Sequence, residues 1–480
     1  MYVMCFFLNK RSTMNEVITP VLNNIFTDIQ RIFDEQRANQ FIISTAKERK
    51  AKIKKLHNAI IKYREAFHEA MYADFKKPAI ETDLFDLFPV TSEAKHTGNH
   101  VEQWMRPKKV KTPTALLGTN SQVKYEPKGV VLIISPWNVP INLTFGPLVS
   151  ALAAGNRVMI KPSEMTPNTS RLMSQVIKEI FEEEEVAIFE GGIDVATALL
   201  KLPFNHIFFT GSPNIGKIVM RAAAENLASV TLELGGKCPT IIDETANLNE
   251  AASRVVWAKY SNSGQTCIAP DYLLVHEKQK NRLLNLLELK IKELYGSTEN
   301  DRQTGDSLGR IVNHKHFLRI KYLFDDAISK GAKIVCGGHF DEADNYIEPT
   351  VLTNITDEME LMHEEIFGPL LPVCTYSKTE RAIQVINSKP EPLALYIFSK
   401  QSKNTTLIVE NTRAGGTCIN DCTIHYSNPN LPFGGTNNSG IGKAHGIYGF
   451  EAFSNQRALL KQNSPYGTSQ LLAPPYNDRI

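Results

Sequence analysis

At 480 residues the chain exceeds what one small hydrophobic core supports, so two or more domains are expected. Hydrophobic residues at 42 %, charged residues at 22 % and a net charge of +2 are ordinary for a globular protein; they supply neither the basic stripe that nucleic-acid binding requires nor an apolar run of membrane length. Seven cysteines, an odd number scattered from Cys5 to Cys422, argue for reduced thiols in a cytoplasmic compartment rather than a disulfide framework.

The opening MYVMCFFLNKR lacks a basic leading region and its apolar run is short, so it is a poor signal peptide and too short for a span. A helical stretch starts at Met14, and residues 1–13 are expected to be a dispensable leader or a misassigned start. Residues 15 to about 105 read as helical. In the densest basic run, Lys47 to Lys55, the flanking Ile53, Leu56, Ile60, Tyr63 and Phe67 recur at spacings of three and four, so its lysines read as the solvated face of an amphipathic helix.

From 129 the texture changes. VVLII (130–134), RVMI (157–160), VAIF (186–189), HIFF (206–209) and SVTLEL (229–234) are short unbroken apolar runs separated by helical stretches. That pattern predicts a parallel sheet covered on both faces, a doubly wound dinucleotide-type α/β domain. A second α/β series follows from about 236, with helices around 249–261 and 278–294 and strands in YLLVH (272–276), AKIVCGG (332–338), LLPVCTY (370–376) and LALYIFS (393–399). No low-complexity linker separates the halves, so the boundary is a compact interface. Residues 463–480 read as a tail without an apolar anchor or prenylation box.

Three stretches carry candidate chemistry. HIFFTGSPNIGKI (206–218) runs from a strand through a glycine turn into a helix, an arrangement that holds phosphate on backbone N–H groups. Its Gly211-x4-Gly216-Lys217 spacing nearly matches a P-loop, but Ile218 stands where a Mg-binding Ser or Thr is required, and G-x-G-x-x-G is not met either. A plain packing turn is an equally good reading. In VTLELGGKCPTI (230–241), Glu233 ends a strand beside Gly235-Gly236, where open α/β sheets bind ligands, although a lone Glu there is more often structural. Cys267 sits in a turn-rich loop of SNSGQTCIAPDYLLV (261–275); one thiol among seven is more often inert than nucleophilic. Cys418 and Cys422 have no second Cys/His pair of zinc-like spacing, so they read as buried small hydrophobes and no metal site is expected.

These stretches fall into order with PWNVP (136–140), KPSEMTP (161–167), FTGSPNIG (209–216), LELGGK (232–237), GQTCIAPDY (264–272), EEIFGPLLPV (364–373) and LPFGGTNNSGIGKAHG (431–446). With them the chain resembles the aldehyde dehydrogenases from about residue 20 to 460, and KPSE, CIAPDYLL, PLALYIFS and the GF-x-x-FS ending are closest in form to the class 3 branch. The resemblance implies a Rossmann-like, doubly wound NAD(P)-binding domain (14–109 and 129–235), a second α/β domain carrying the nucleophile (236–425), and a small β bridging and oligomerisation subdomain (110–128 and 426–462). It implies Cys267 as nucleophile, Glu233 as general base, and Asn138 with the Cys267 main-chain N–H as oxyanion hole. Trp137, Lys161, Glu164, Gly211, Ser212, Gly216, Glu365 and Phe367 would hold the cofactor: Lys161 and Glu164 at the adenosine ribose, the glycines and Ser212 near the pyrophosphate, Glu365 with Phe367 at the nicotinamide ribose.

A carboxylate at Glu164 repels a 2′-phosphate, so NAD is expected, with NADP as a second acceptor through a shift of the ribose. The implied partners are a small-molecule aldehyde and a second copy in a homodimer, with no nucleic acid and no membrane anchor. Val139 departs from the aromatic residue usual after Trp137-Asn138, which loosens the expectation of an aromatic tunnel. CTIHYSNPNLPFGG (422–435) should border the aldehyde entrance, with His425 read as a surface loop residue rather than a gate. The rivals are a CoA-acylating relative, which generally lacks the carboxylate that Glu233 supplies, an inactive structural member of the family, and a P-loop nucleotidase, which Ile218 argues against.

Overall fold

Val130–Ile134 is an aliphatic run with no polar face, and it is buried on both sides. Val131 and Ile133 enter one hydrophobic core; Val130, Leu132 and Ile134 enter another. The period-two geometry of a strand divides one apolar run between two helical layers. In this computed structural model, which describes residues 15–465 with 467, 470, 473 and 474 and side chains from 24 onward, that strand is the centre of a six-stranded sheet. The expected leader at 1–13 and most of the 463–480 tail lie outside the described residues.

Across this sheet the order is Gly440–Ile441, Ser229–Leu234, His206–Gly211, Val130–Ile134, Arg157–Lys161 and Val186–Ile188. All pairings are parallel except that of Gly440–Ile441. The chain winds outward from Val130–Ile134 in one direction and then, from His206, in the other. A crevice therefore opens at the carboxyl ends of the two strands where the order reverses, the position at which such sheets bind ligands.

The second sheet has seven strands, in the order Lys333–Cys336, Thr350–Thr353, Leu370–Tyr376, Tyr272–His276, Pro239–Ile242, Ala394–Phe398 and Gly416–Ile419. Only four residues, 235–238, join Leu234 to Pro239. The carboxyl edge of the first sheet is thereby pressed against the amino edge of the second. Cys267 precedes Tyr272–His276, and Glu365 and Phe367 precede Leu370–Tyr376, so all three come to that same edge.

The helix Pro140–Ala154, apolar almost all round, is buried along nearly its whole length beneath this junction. Its N-terminal N–H groups have a carboxylate partner from elsewhere: Asp86 accepts from the Ile141 N–H at 3.1 Å and pairs through its other oxygen with Lys77 at 2.6 Å, both side chains being fully buried. That cap fixes where Trp137 and Asn138 leave the sheet.

A third, antiparallel sheet joins Lys108–Val110, Thr119–Pro127 and Ser454–Gln462. The bridging segment expected at 426–462 is thus divided: only its last strand reaches this sheet. Gly440–Ile441 pairs with the first sheet instead, because Gly440, at φ +153 and too close to the Leu232 carbonyl for any Cβ, lets the backbone lie against Glu233 and Leu232. Among the described residues no helix is long and apolar enough to cross a membrane, and the six cysteines there are free.

Candidate active site

Two cavities meet at the junction of the sheets. The larger, about 730 Å³, runs along the carboxyl edge of the first sheet; the smaller, about 230 Å³, is bordered by the helix Pro140–Ala154 and the segment 423–433. Glu233 and Cys267 line both. Of the predicted site residues, Trp137, Asn138, Gly211, Ser212, Glu365 and Phe367 join them in the larger cavity, whereas Lys161, Glu164 and Gly216 do not line it. Lys161 sits at the carboxyl end of its strand, with its ammonium paired to the half-exposed carboxylate of Glu164. A Cβ on Gly216 would stand 2.8 Å from Leu234 Cδ2, so this glycine lets the helix Pro213–Glu225 pack closely on the strand Ser229–Leu234.

The Cys267 loop is held by its backbone rather than by regular structure. Asn262, Ser263 and Gly264 all have positive φ (52, 53 and 74), a strained run that persists only where its surroundings fix it. Glu81 does so by accepting from the Asn262 N–H at 3.0 Å, and Ser263 Oγ donates to Gly309 O at 2.9 Å. Gln265 is clamped three ways: its amide donates to Asn262 O and Arg310 O and accepts from the Val312 N–H at 3.0 Å. Gly264 packs directly on the Gly368 carbonyl, where a Cβ would overlap it, so the cysteine loop and the Phe367 loop touch.

Asn138 is locked into this frame. Its amide donates to Gln265 O at 3.1 Å, and its own carbonyl accepts from Asn262 Nδ2 at 2.9 Å. The amide nitrogen carries two hydrogens, so one N–H remains beyond that used on Gln265. The main-chain N–H dipoles of Cys267 and Ile268 favour the Cys267 thiolate. Burial, followed by the charges of Glu365 and Glu233, nonetheless pushes that thiol up to about 12.

Glu233 is 5 % exposed, and neither of its carboxylate oxygens has a hydrogen-bond partner. Burial holds its pKa well above the usual carboxylate range, opposed by the positive charge of Lys443. A buried carboxyl group without partners costs stability, and such expense concentrates at functional sites.

Glu365 is pushed up to about 8 by burial and by Asp271, against a hydrogen bond from Gly236. A Cβ on Gly235 would overlap its carboxylate, which only glycine permits. The loop carrying Glu365 and Phe367 is pinned by groups outside the sequence prediction. Lys237, ion-paired with Asp271, donates to Leu361 O at 2.7 Å; Arg319 donates to Ile366 O at 2.6 Å and Glu365 O at 3.1 Å; Asp271 accepts from the Ile366 N–H at 2.8 Å. The Phe367 ring then sits 5.4 Å from that of Trp137, edge to face. Lys237 and Asp271 lie inside the LELGGK and GQTCIAPDY stretches, whereas Arg319 carries no local signal.

The smaller cavity corrects two expectations. Val139 does line it, but aromatic walls come from elsewhere: Phe85, Phe88, Trp257, Tyr426 and Phe433. His425 is not a surface loop residue. Both of its ring nitrogens are buried and unpartnered, Tyr396 and Phe433 flank it, and burial pushes its pKa down to about 4. It packs behind the tunnel rather than lining it.

The aldehyde dehydrogenase family model matches residues 14–459. The chain is 45 % identical over 438 residues to a putative aldehyde dehydrogenase AldX of Bacillus subtilis, covering 91 % of this chain and 98 % of that protein. It is 42 % identical to the 4,4′-diaponeurosporen-aldehyde dehydrogenase of Staphylococcus aureus, covering 96 % and 98 %, and 39 % identical to rat aldehyde dehydrogenase family 3 member B1, covering 91 % and 92 %. The substrate-bound state of Staphylococcus aureus AldH superposes with a TM-score of 0.89 at 41 % identity, over 95 % of this chain and 97 % of that one. An NAD+ complex of a Bacillus cereus aldehyde dehydrogenase gives 0.83 at 28 % identity, over 92 % and 89 %.

Proposed function

The chain belongs to the aldehyde dehydrogenase family, and on that premise we propose that it oxidises an aldehyde to the carboxylic acid through a thioester on Cys267, hydrolysed by water that Glu233 activates. The observation that carries this reading is the placement of Cys267 and Glu233 where the two cavities meet, one cavity shaped for cofactor and one for aldehyde.

The larger cavity fits NAD. It lies at the carboxyl edge where the strand order reverses; Gly211 and Ser212 open a helix toward it, and Gly235 lets the Glu365 carboxylate lie against the backbone on its wall. NAD, when bound, accepts the hydride. Lys161 and Glu164 would hold the adenosine ribose, and Glu365 with Phe367 the nicotinamide ribose. The Glu164 carboxylate disfavours a 2′-phosphate by repulsion.

Cys267 attacks the aldehyde carbon, and the free N–H of Asn138 with the Cys267 main-chain N–H stabilises the oxyanion. Because Asn138 is fixed by Gln265 and Asn262 before substrate arrives, these donors need no reorganisation. Asn138→Ala is expected to lower kcat about 10²–10³-fold with a smaller change in KM, measured by NADH formation. An equal loss in the two parameters would remove Asn138 from this role.

The apolar and aromatic walls of the smaller cavity support an aldehyde with an extended apolar or aromatic body, in line with the aldehyde named for the Staphylococcus aureus relative. The reading extends to a homodimer using the third sheet and to action in the cytoplasm, where thiols stay reduced. The purified protein, given aldehyde and NAD without CoA, is expected to release equal amounts of NADH and free carboxylic acid. Acid appearing only with CoA, as its thioester, would transfer the protein to the acylating branch.

A further inference from the structure

Beyond Phe433 the chain folds back over the end of the strand that carries Glu233. Gly440 pairs with Glu233 and Ile441 with Leu232, and this return brings Gly434 and Lys443 over the carboxylate. A Cβ on Gly434 would stand 2.9 Å from Glu233 Oε1 and 3.1 Å from Lys443 Cδ. The carboxylate and the lysine stem therefore approach one another across a glycine, in a space too tight for any side chain, since a Cβ would also stand 2.7 Å from the Gly442 carbonyl oxygen. The Lys443 ammonium donates to the carbonyls of Gly434 and Gly435. An ammonium has three donors, so one remains.

Three titratable side chains act on or feel Glu233: the Cys267 thiol, the Tyr426 hydroxyl and Lys443. Only Lys443 carries positive charge, and the influence is mutual. The Glu233 oxygens accept no hydrogen bond from any of the described residues, so the Lys443 charge acts on them through space.

We propose that Lys443 is a positioning residue for thioester hydrolysis: held by the Gly434 and Gly435 carbonyls and set across Gly434 from the buried Glu233, its ammonium supplies the fixed positive charge beside which that carboxylate takes a proton from water. The inference rests on the reading of Glu233 as that base. In the step itself Glu233 takes one proton from water, the water oxygen bonds to the thioester carbon, and the C–S bond breaks with its electrons returning to Cys267. Lys443 stays protonated throughout.

The test compares Lys443→Gln, which keeps a donor for the carbonyls without the charge, with Lys443→Arg, which keeps the charge. Decay of the Cys267 acyl adduct is followed by quenched mass spectrometry across pH, with thermal melting as a check on folding. In the Gln variant the adduct is expected to form as in the parent enzyme, while the acid limb of its decay moves to higher pH by about one unit or more. That is about a tenfold slower decay at a fixed pH on the limb. The Arg variant returns the limb toward its original position. An unmoved limb in the Gln variant, an equal shift in both variants, or a Gln variant that fails to fold would overturn the proposal and leave Lys443 as a loop anchor. Failure of the underlying reading is separable, since adduct decay would then survive Glu233→Gln in the parent background.

Discussion

Cys267→Ala is expected to abolish aldehyde-dependent NADH formation, by about 10⁴-fold or more, with no loss of folding. The variant removes a sulfur that lines both cavities, while the backbone clamps on its loop come from Gln265, Glu81 and Ser263 and remain in place. The resting thiol is pushed up to about 12 by burial and then by Glu365 and Glu233, whereas an ordinary cysteine ionises at about 8.5. Alkylation of Cys267 in the enzyme without cofactor should therefore be slow at neutral pH. It should keep rising as pH passes the ordinary thiol value instead of levelling there. Peptide mapping after iodoacetamide treatment at a series of pH values measures this, and Cys238 and Cys422, fully buried, serve as internal controls. Undiminished turnover in Cys267→Ala would end the thioester mechanism for this protein.

Glu233→Gln is expected to separate the two halves of the reaction. NADH should appear as a burst of about one equivalent per active site, after which turnover falls by roughly 10²–10⁴-fold because the acyl group is no longer removed. Loss of the burst to the same degree as the steady state would count against Glu233 as the base for deacylation. In the parent enzyme the same carboxyl sets an acid limb, since only its ionised form can take a proton from water. Its pKa is held well above the usual range by burial, so the limb should lie above the value of about 4.3 of a free glutamate.

The stability consequence has a definite sign. A carboxyl group with a raised folded-state pKa contributes most to stability below its unfolded pKa and loses that contribution as pH rises through the folded value. The amide that Glu233→Gln introduces carries no charge to bury, so this variant should melt no lower than the parent, with an advantage that grows as pH rises through that window. Denaturant unfolding at several pH values would show it. A variant less stable throughout would mean that the carboxylate has partners in the folded protein.

Much of the site was legible in order along the chain. Strands as short as Val130–Ile134 and Ser229–Leu234 announced themselves because a parallel sheet buried on both faces allows no polar alternation. Asn138, Glu233 and Cys267 stood in motifs whose glycines and turns mark loops at strand ends. What failed were statements about surroundings. His425 read as a surface residue because its loop is polar, and its burial comes from Tyr396 and Phe433. Val139 suggested a less aromatic tunnel, yet Phe85 and Trp257 supply the rings from helices far away in sequence. The division of residues 426–462 followed from pairing with Leu232 and Glu233, which no local pattern encodes.

The sequence by itself determined the alternation of strand and helix, the family, and the residue types that make the chemistry feasible, because each is written in local spacing and side-chain type. Only the tertiary structure decided what acts on those residues. The Asn138 amide meets Gln265 across 127 positions, and Lys237 meets Glu364 across the same number. The Lys443 stem comes near Glu233 only because Gly434 and Gly440 let a returning strand lie over that carboxylate. Hydrogen bonding and packing act over a few ångströms and charge over roughly 10 Å, so all of them depend on distance in space. Packing sets that distance, and position along the chain does not.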